Sequence, residues 1–161
     1  MTLIENMQSK HKNKKGFTLI EILIVISLVT IISFVTFNFF VDYRASQGVA
    51  QDVELIETVL YKARNDAISS NGSNDYGVHC ASSSMTACKG SVYTASNTTN
   101  QIFLFTSGNT LSGISLVSGG VDVVFNKLSG ETTQSGTLTL TTSKGGVKTI
   151  IIYPTGLIQS I

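Results

Sequence analysis

The residue whose chemistry is hardest to place in this chain is Glu21. It stands in an apolar run: from Phe17 to Val41 there is no Lys, Arg, His, Asp or Pro, and the other polar residues are Thr, Ser and Asn38. A carboxylate at the centre of a membrane helix costs roughly 2.5–3.5 kcal/mol, and an acid in such a place is by default functional. Glu21 lies near one end of the run, where the cost is smaller. Lys10, Lys12, Lys14 and Lys15 come just before it, followed by Gly16 and Phe17. A cut after Gly16 would create an amine on Phe17, one helical turn from that carboxylate.

The other residues with reactive side chains are few. Cys80 and Cys88 both follow the apolar run, on the side opposite the lysine cluster. By the distribution of positive charge that side is extracytoplasmic, where disulfides persist. His79 is the one histidine after residue 16, so neither further Cys nor paired His completes a zinc set. The expectation is a Cys80–Cys88 disulfide closing a short polar loop, a contribution of roughly 2–3 kcal/mol. His79 falls in a predicted strand beside Cys80 and reads as a hydrogen-bonded or solvated side chain rather than a general base. No G-x-S-x-G, paired His or metal-spaced carboxylate cluster is present. After Asp75 only Asp122 and Glu131 are acidic, so a C-terminal calcium loop is not expected. Neither an enzyme activity nor a cofactor is expected.

These residues need elements to hold them. A helix rising about 1.5 Å per residue through the apolar run spans a bilayer core of about 30 Å. From Asp42 to Ser70 the character changes. Val49, Val53, Ile56, Leu60, Ala63 and Ala67 recur in steps of four and three, an amphipathic helix face, with Asp52, Glu54, Glu57, Lys62, Arg64 and Asp66 on the other faces. Together these predict one helix of about fifty residues, roughly 75 Å long, capped at Asn71 or Gly72. Gly48 could weaken it.

Beyond the helix the period switches to two. The predicted strands are Tyr76–Cys80, Ile102–Thr106, Val121–Phe125, Thr137–Thr142, Thr149–Tyr153 and Leu157–Ile158, with Lys144-Gly145-Gly146-Val147 as a hairpin turn. Residues 81–100 read as a long polar loop.

Of the 11 Lys and Arg four are in residues 1–16, and of the 10 acids one is Glu5, which leaves seven basic and nine acidic groups from Phe17 onward, a net of −2. That balance does not favour a polyanion partner. The distal basic residues are Lys89, Lys127, Lys144 and Lys148, a thin basis for phosphate contact.

The order Lys14-Lys15-Gly16-Phe17-Thr18-Leu19-Ile20-Glu21 followed by an apolar helix resembles the class III leader of type IV prepilins and type II secretion pseudopilins. In that family a membrane-embedded peptidase cuts after the glycine and methylates the new N-terminal Phe. The resemblance implies cleavage between Gly16 and Phe17, N-methylation of Phe17, and pairing of Glu21 with the Phe17 amine of a neighbouring subunit. A narrower likeness lies in Leu60-Tyr61-Lys62-Ala63-Arg64-Asn65-Asp66-Ala67-Ile68, which is similar to the L-x-x-A-R-x-x-A-I pattern of GspH/FimT-type minor pilins and pseudopilins. The order Gly130, Gly136-Thr137-Leu138, Ile150-Ile151-Ile152 and Pro154-Thr155-Gly156-Leu157 is similar to the closing sheet of the same family. Many pilins carry a proline in the outer part of the membrane helix. Here that region is Phe37-Asn38-Phe39-Phe40, so a built-in helix break is not implied.

The expected architecture is α+β and pilin-like: a long N-terminal helix packed on a small antiparallel β-sheet domain. Residues 1–16 form a leader, 17–41 a membrane or filament-core helix, 42–70 its amphipathic continuation and 71–161 an extracytoplasmic β-rich domain. The expected function is structural, as a minor pilin or pseudopilin of a type II secretion or type IV pilus machine. Its partners would be prepilin peptidase, other pilins in a helical filament, an inner-membrane assembly platform and, before assembly, the lipid bilayer. Two alternatives stand beside it: a DNA-binding minor pilin of a competence system, and a single-span membrane protein without a filament role.

Overall fold

The computed structural model describes residues 16–69, 74–142 and 145–161, without the side chains of 38–42 and 45. The chain divides into two compact units, Met1–Phe40 and Val41–Ile161. One helix, α1 (Leu19–Ile68), contributes residues to both. The leader expected at 1–16 lies outside the described residues except for Gly16, and the Asn71 or Gly72 cap lies wholly outside them.

In the first unit α1 begins with a cap. The Ile22 N–H donates to the Thr18 carbonyl at 3.3 Å, and the Glu21 N–H donates to Thr18 Oγ1 at the same distance. Thr18 is thus the N-cap residue, satisfying one of the free N–H groups of the first turn. The apolar stretch Leu19–Phe37 has a mean hydropathy of 2.6, and none of its residues is buried inside the chain. By length and composition it can cross a membrane.

The second unit has its own core. Among the described residues its eight strands are β1 (Tyr76–Cys80), β2 (Ser84–Lys89), β3 (Gln101–Leu104), β4 (Asn109–Leu116), β5 (Asp122–Phe125), β6 (Gly136–Thr142), β7 (Val147–Ile152) and β8 (Ile158–Ser160). They form two four-stranded antiparallel sheets rather than one, in the orders β3-β2-β1-β5 and β4-β6-β7-β8. Helix residues Ile56, Leu60, Ala63 and Ala67 are buried with Val78, Met85 and Phe125 of the first sheet and Leu138, Leu140 and Ile152 of the second, in one cluster. The fold is the expected α+β, pilin-like arrangement, with helix against antiparallel sheet.

The alternation in β6 shows how the sequence dictates this. Leu138 and Leu140 are fully buried, whereas Thr137, Thr139 and Thr141 are only partly so. Successive side chains on a strand point to opposite faces, so a Thr-Leu repeat places one apolar row on the core. The helix stripe follows the same logic at a period near 3.6, with Val49 and Val53 half-buried at its start.

Three expectations change. Residues 81–100 are not one loop, because β2 occupies 84–89 and leaves 81–83 and 90–100 outside strands. β4 was not foreseen at all. Gly48 does not loosen the helix but packs it: a Cβ there would lie 3.0 Å from Thr106 Cγ2. The predicted turn at 144–147 is described only from Gly145 onward, and β6 pairs with β7 on either side of it.

Candidate functional site

The residues on which the sequence reading centred lie at the start of α1. Gly16, Phe17 and Thr18 precede the helix, and Phe17 is 80% exposed. Glu21 stands at the third helical position and is exposed with its neighbours. An acid in the first turn favours the helix there, because the free N–H groups carry partial positive charge. Three hydroxyls of the run bond back to their own helix. Ser27 Oγ donates to the Ile24 carbonyl at 2.8 Å, Thr30 Oγ1 to the Ile26 and Ser27 carbonyls at 3.0 and 2.8 Å, and Thr36 Oγ1 to the Ile32 carbonyl at 2.8 Å. A hydroxyl returned to its own helix leaves no free donor in an apolar surround. Among the described residues none meets the Glu21 carboxylate, the one charged side chain of the span.

The motif around Arg64 also acquires a structural meaning. Leu60, Ala63 and Ala67 face the core, and Arg64 crosses two glycines on the loops that close the sheets. A Cβ on Gly130 would lie 2.6 Å from Ile68 Cγ1 and 3.1 Å from Arg64 Cγ, and one on Gly156 would lie 2.7 Å from Arg64 Nε. Both glycines have positive φ, 66° and 76°, a region that L side chains avoid. Arg64 Nη2 donates to the Thr155 carbonyl at 3.4 Å, and the Leu128 N–H donates to the Ala67 carbonyl at 2.9 Å. The spacing L-x-x-A-R-x-x-A-I is therefore a packing code: small residues against sheet, and an arginine laid across glycines.

Asp52 departs from the sequence reading, which placed it on the wet face. It is 3% exposed. Both its oxygens accept from the Thr106 N–H at 3.0 Å; Thr106 Oγ1 donates to Oδ1 at 3.0 Å and Asn109 Nδ2 to Oδ2 at 2.6 Å. An acceptor-only carboxylate thus meets a set of donors on the segment joining β3 to β4. The signal was available, since Asp52 falls on the stripe between Val49 and Ile56.

The expected disulfide is not found: Cys80 and Cys88 are free, buried thiols. The register explains why. Cys80 lies opposite Met85, and Cys88 lies opposite Gly77. The two cysteines are three rungs apart, roughly 10 Å along the strands, and they point to opposite faces. A disulfide needs Cα atoms within about 7 Å. Burial pushes the Cys80 thiol up to about 12 with the Asp122 charge adding to it, and burial, again reinforced by Asp122, raises Cys88. Neither is an activated nucleophile, which requires a lowered pKa.

His79 is hydrogen-bonded, as expected, and its partners are now visible. Its Nδ1 lies 2.6 Å from Asp122 Oδ1, and its ring stacks on Tyr93 at 3.9 Å between centroids. Tyr93 belongs to the 90–100 segment. Thr86 and Cys88, on the same sheet face as His79, are 4% and 5% exposed. Among the described residues no cluster of three His, Cys, Asp or Glu could hold a metal ion.

With the geometry in place, the N-terminal segment can be compared with known families. Residues 11–37 match the prokaryotic N-terminal methylation motif. That motif is the class III leader type found in type IV pilins. No curated protein and no solved structure matches the chain. The matched segment contains Gly16, Phe17, Thr18 and Glu21 and ends where the apolar stretch Leu19–Phe37 ends. Thr18 was missed as a cap, although the spacing Thr-x-x-Glu is a recognised helix-start signal.

Proposed function

We propose that this chain is a structural minor pilin or pseudopilin. Prepilin peptidase cuts it after Gly16 and methylates Phe17. It resides in the cytoplasmic membrane through its apolar helix, with the N-terminus cytoplasmic and residues 71–161 outside, and an inner-membrane assembly platform moves it into a helical filament. The observation that carries this reading is the coincidence of the methylation motif at 11–37 with an apolar helix stretch, Leu19–Phe37, of which no residue is buried among the described residues. Such a surface needs lipid first and other subunits later. Repetition of one heterologous contact then builds an open helical array.

Within that array Glu21 pairs with the Phe17 amine of a neighbour. In an apolar surround an ion pair favours the register that satisfies both charges, because any other leaves them unpaired. The seating of Arg64 against Gly130 and Gly156, with Ala63 and Ala67 on the core, supports assignment to the GspH/FimT type. The role is not enzymatic and takes no cofactor.

The test is processing. Co-expression with prepilin peptidase should remove residues 1–16 and leave an N-methylated Phe17, read by intact mass. Gly16→Leu should abolish the cut. An unprocessed wild-type chain, or unchanged processing of Gly16→Leu, overturns the reading.

A further inference from the structure

We infer that the outer edge of β3 pairs with an extended segment of another protein, one that carries two apolar residues in alternate positions and then an acid. β3 ends the sheet β3-β2-β1-β5. Phe103 lies opposite Met85 and Gln101 opposite Ala87, and the next odd residue, Phe105, donates its N–H to the Ser83 carbonyl at 3.1 Å. An antiparallel ladder alternates in this way, so the N–H and C=O groups of Ile102 and Leu104 face away from β2. Among the described residues nothing bonds to those groups. Each other sheet edge meets a partner within the chain. The Val124 N–H of β5 donates to Gln134 Oε1 at 3.3 Å, the Leu111 N–H of β4 donates to the Ser82 carbonyl at 2.8 Å, and the Ile158 carbonyl of β8 accepts from Tyr61 Oη at 2.7 Å. Ile102 and Leu104 also share one sheet face, and they are 65% and 73% exposed. An open apolar edge invites pairing, and folded chains guard such edges with Lys, Pro or a bulge. β3 carries none of these.

Charge selects the composition of the partner. At the Gln101 end of β3 a cavity of about 330 Å³ is lined by Lys62, Asp66, Lys89, Thr99 and Gln101, among others. Lys62 Nζ donates to Gln101 Oε1, a neutral acceptor. Among the described residues neither lysine forms an ion pair with Asp66, and the two ammonium groups outnumber the one carboxylate. Gln101 and Phe103 lie on the strand face opposite to Ile102 and Leu104. An antiparallel partner therefore reads apolar, any, apolar, acid. Its apolar residues lie against Leu104 and Ile102, and its carboxylate falls beside Gln101, at the cavity. In such strand addition main-chain bonds supply affinity and alternate side chains supply specificity. A second copy fits less well: β3 paired with itself sets Ile102 against Leu104 but brings Phe105, not an acid, to the cavity.

The inference uses the second unit alone, so a failure of leader processing leaves it standing. The full chain in dodecyl maltoside is titrated with a fluorescent Thr-Val-Thr-Val-Glu-Thr peptide. Anisotropy reads binding, and amide hydrogen exchange reads its place. The peptide should bind and slow exchange at the Ile102 and Leu104 amides. Leu104→Thr should weaken binding roughly 5-fold, the upper end for one cross-strand pair. The same peptide with Gln in place of Glu should bind about 2- to 5-fold less tightly, the range of an exposed ion pair. Lys62→Gln combined with Lys89→Gln should erase that preference, and Lys148→Gln, a charge removal on the other sheet, should keep it. A peptide N-methylated at both Val nitrogens should not bind, a control that leaves the protein untouched. No binding by the wild-type chain, equal binding of the N-methylated peptide, or undiminished binding by Leu104→Thr overturns the edge pairing. Equal affinity for the Gln peptide overturns the acidic partner. A concentration-dependent dimer of the wild-type chain that Leu104→Thr dissolves overturns the foreign partner in favour of a second copy.

Discussion

The two units handle apolar surface in opposite ways. In Val41–Ile161 the large side chains Ile56, Leu60, Phe125, Leu138 and Ile150 are fully buried against one another. In Met1–Phe40, Leu19, Ile20, Phe34 and Phe37 are all more than 60% exposed. The same contrast holds for polar groups. Asp52 has every donor it needs within its own unit, whereas Glu21 has none among the described residues. One unit has a buried core of its own, and among its described residues the other has none. Under the proposed function, stability and assembly are therefore separable, and each can be damaged without the other.

The strongest test of that separation is Glu21→Ala. Removing half of a buried ion pair costs about 3–5 kcal/mol, which leaves the Phe17 amine of a neighbour unpaired. The variant should still be cut after Gly16 and still be inserted, yet enter filaments poorly, while the second unit melts at the wild-type temperature. Fractionation into membrane and sheared filament measures the first outcome and thermal unfolding the second. Equal recovery in filaments would remove the pairing argument.

Asp52→Asn should do the reverse. Its amide would bring a donor toward Thr106 and Asn109, which already donate, at a cost of about 1–3 kcal/mol. The melting temperature of the second unit should fall, with prepilin peptidase cleavage unaffected. An unchanged melting curve would mean that Asp52 is not the latch its geometry indicates.

The smallest effect is a slope. The pKa of Cys80 is raised to about 12 in the folded chain, above the ordinary value of 9.0. Its contribution to stability is then full below pH 9 and is lost as pH rises toward 12, by up to about 1.4 kcal/mol per pH unit. Cys80→Ala should flatten stability against pH in that window relative to wild type, read by denaturant midpoints. Parallel curves would show that the thiol is wetter than its burial implies.

What could be read from sequence divides along physical lines. The apolar helix was legible because a run as long as Leu19–Phe37 with a single charged residue stands out by composition alone. The stripe through Ile56, Leu60, Ala63 and Ala67 was legible because one helix face packs on one core. β2 was not, because its outward residues Thr86 and Cys88 are buried too, and this removes the alternation of a half-exposed strand. β4 was hidden by its irregularity: the register shifts between Leu111 and Gly113, so its apolar residues lose the spacing of two. The cysteines misled because a separation of eight reads as a loop, whereas β1 and β2 pair closely and carry Cys88 past Cys80 onto the other face. Asp52 was misread by residue type against position.

The cap at Thr18 has a consequence for the timing of assembly. Before cleavage the Phe17 nitrogen is a neutral amide, and the partial positive charge of the helix start is answered by Glu21 in the first turn. Cutting after Gly16 places a full positive charge one residue before the cap, at the end of the helix that already repels it. Methylation would leave that charge in place. The proteolytic step would thus do more than release a leader. It would electrically arm the subunit, creating in one irreversible event both a strained terminus and the appetite for a second carboxylate that only another processed copy can supply.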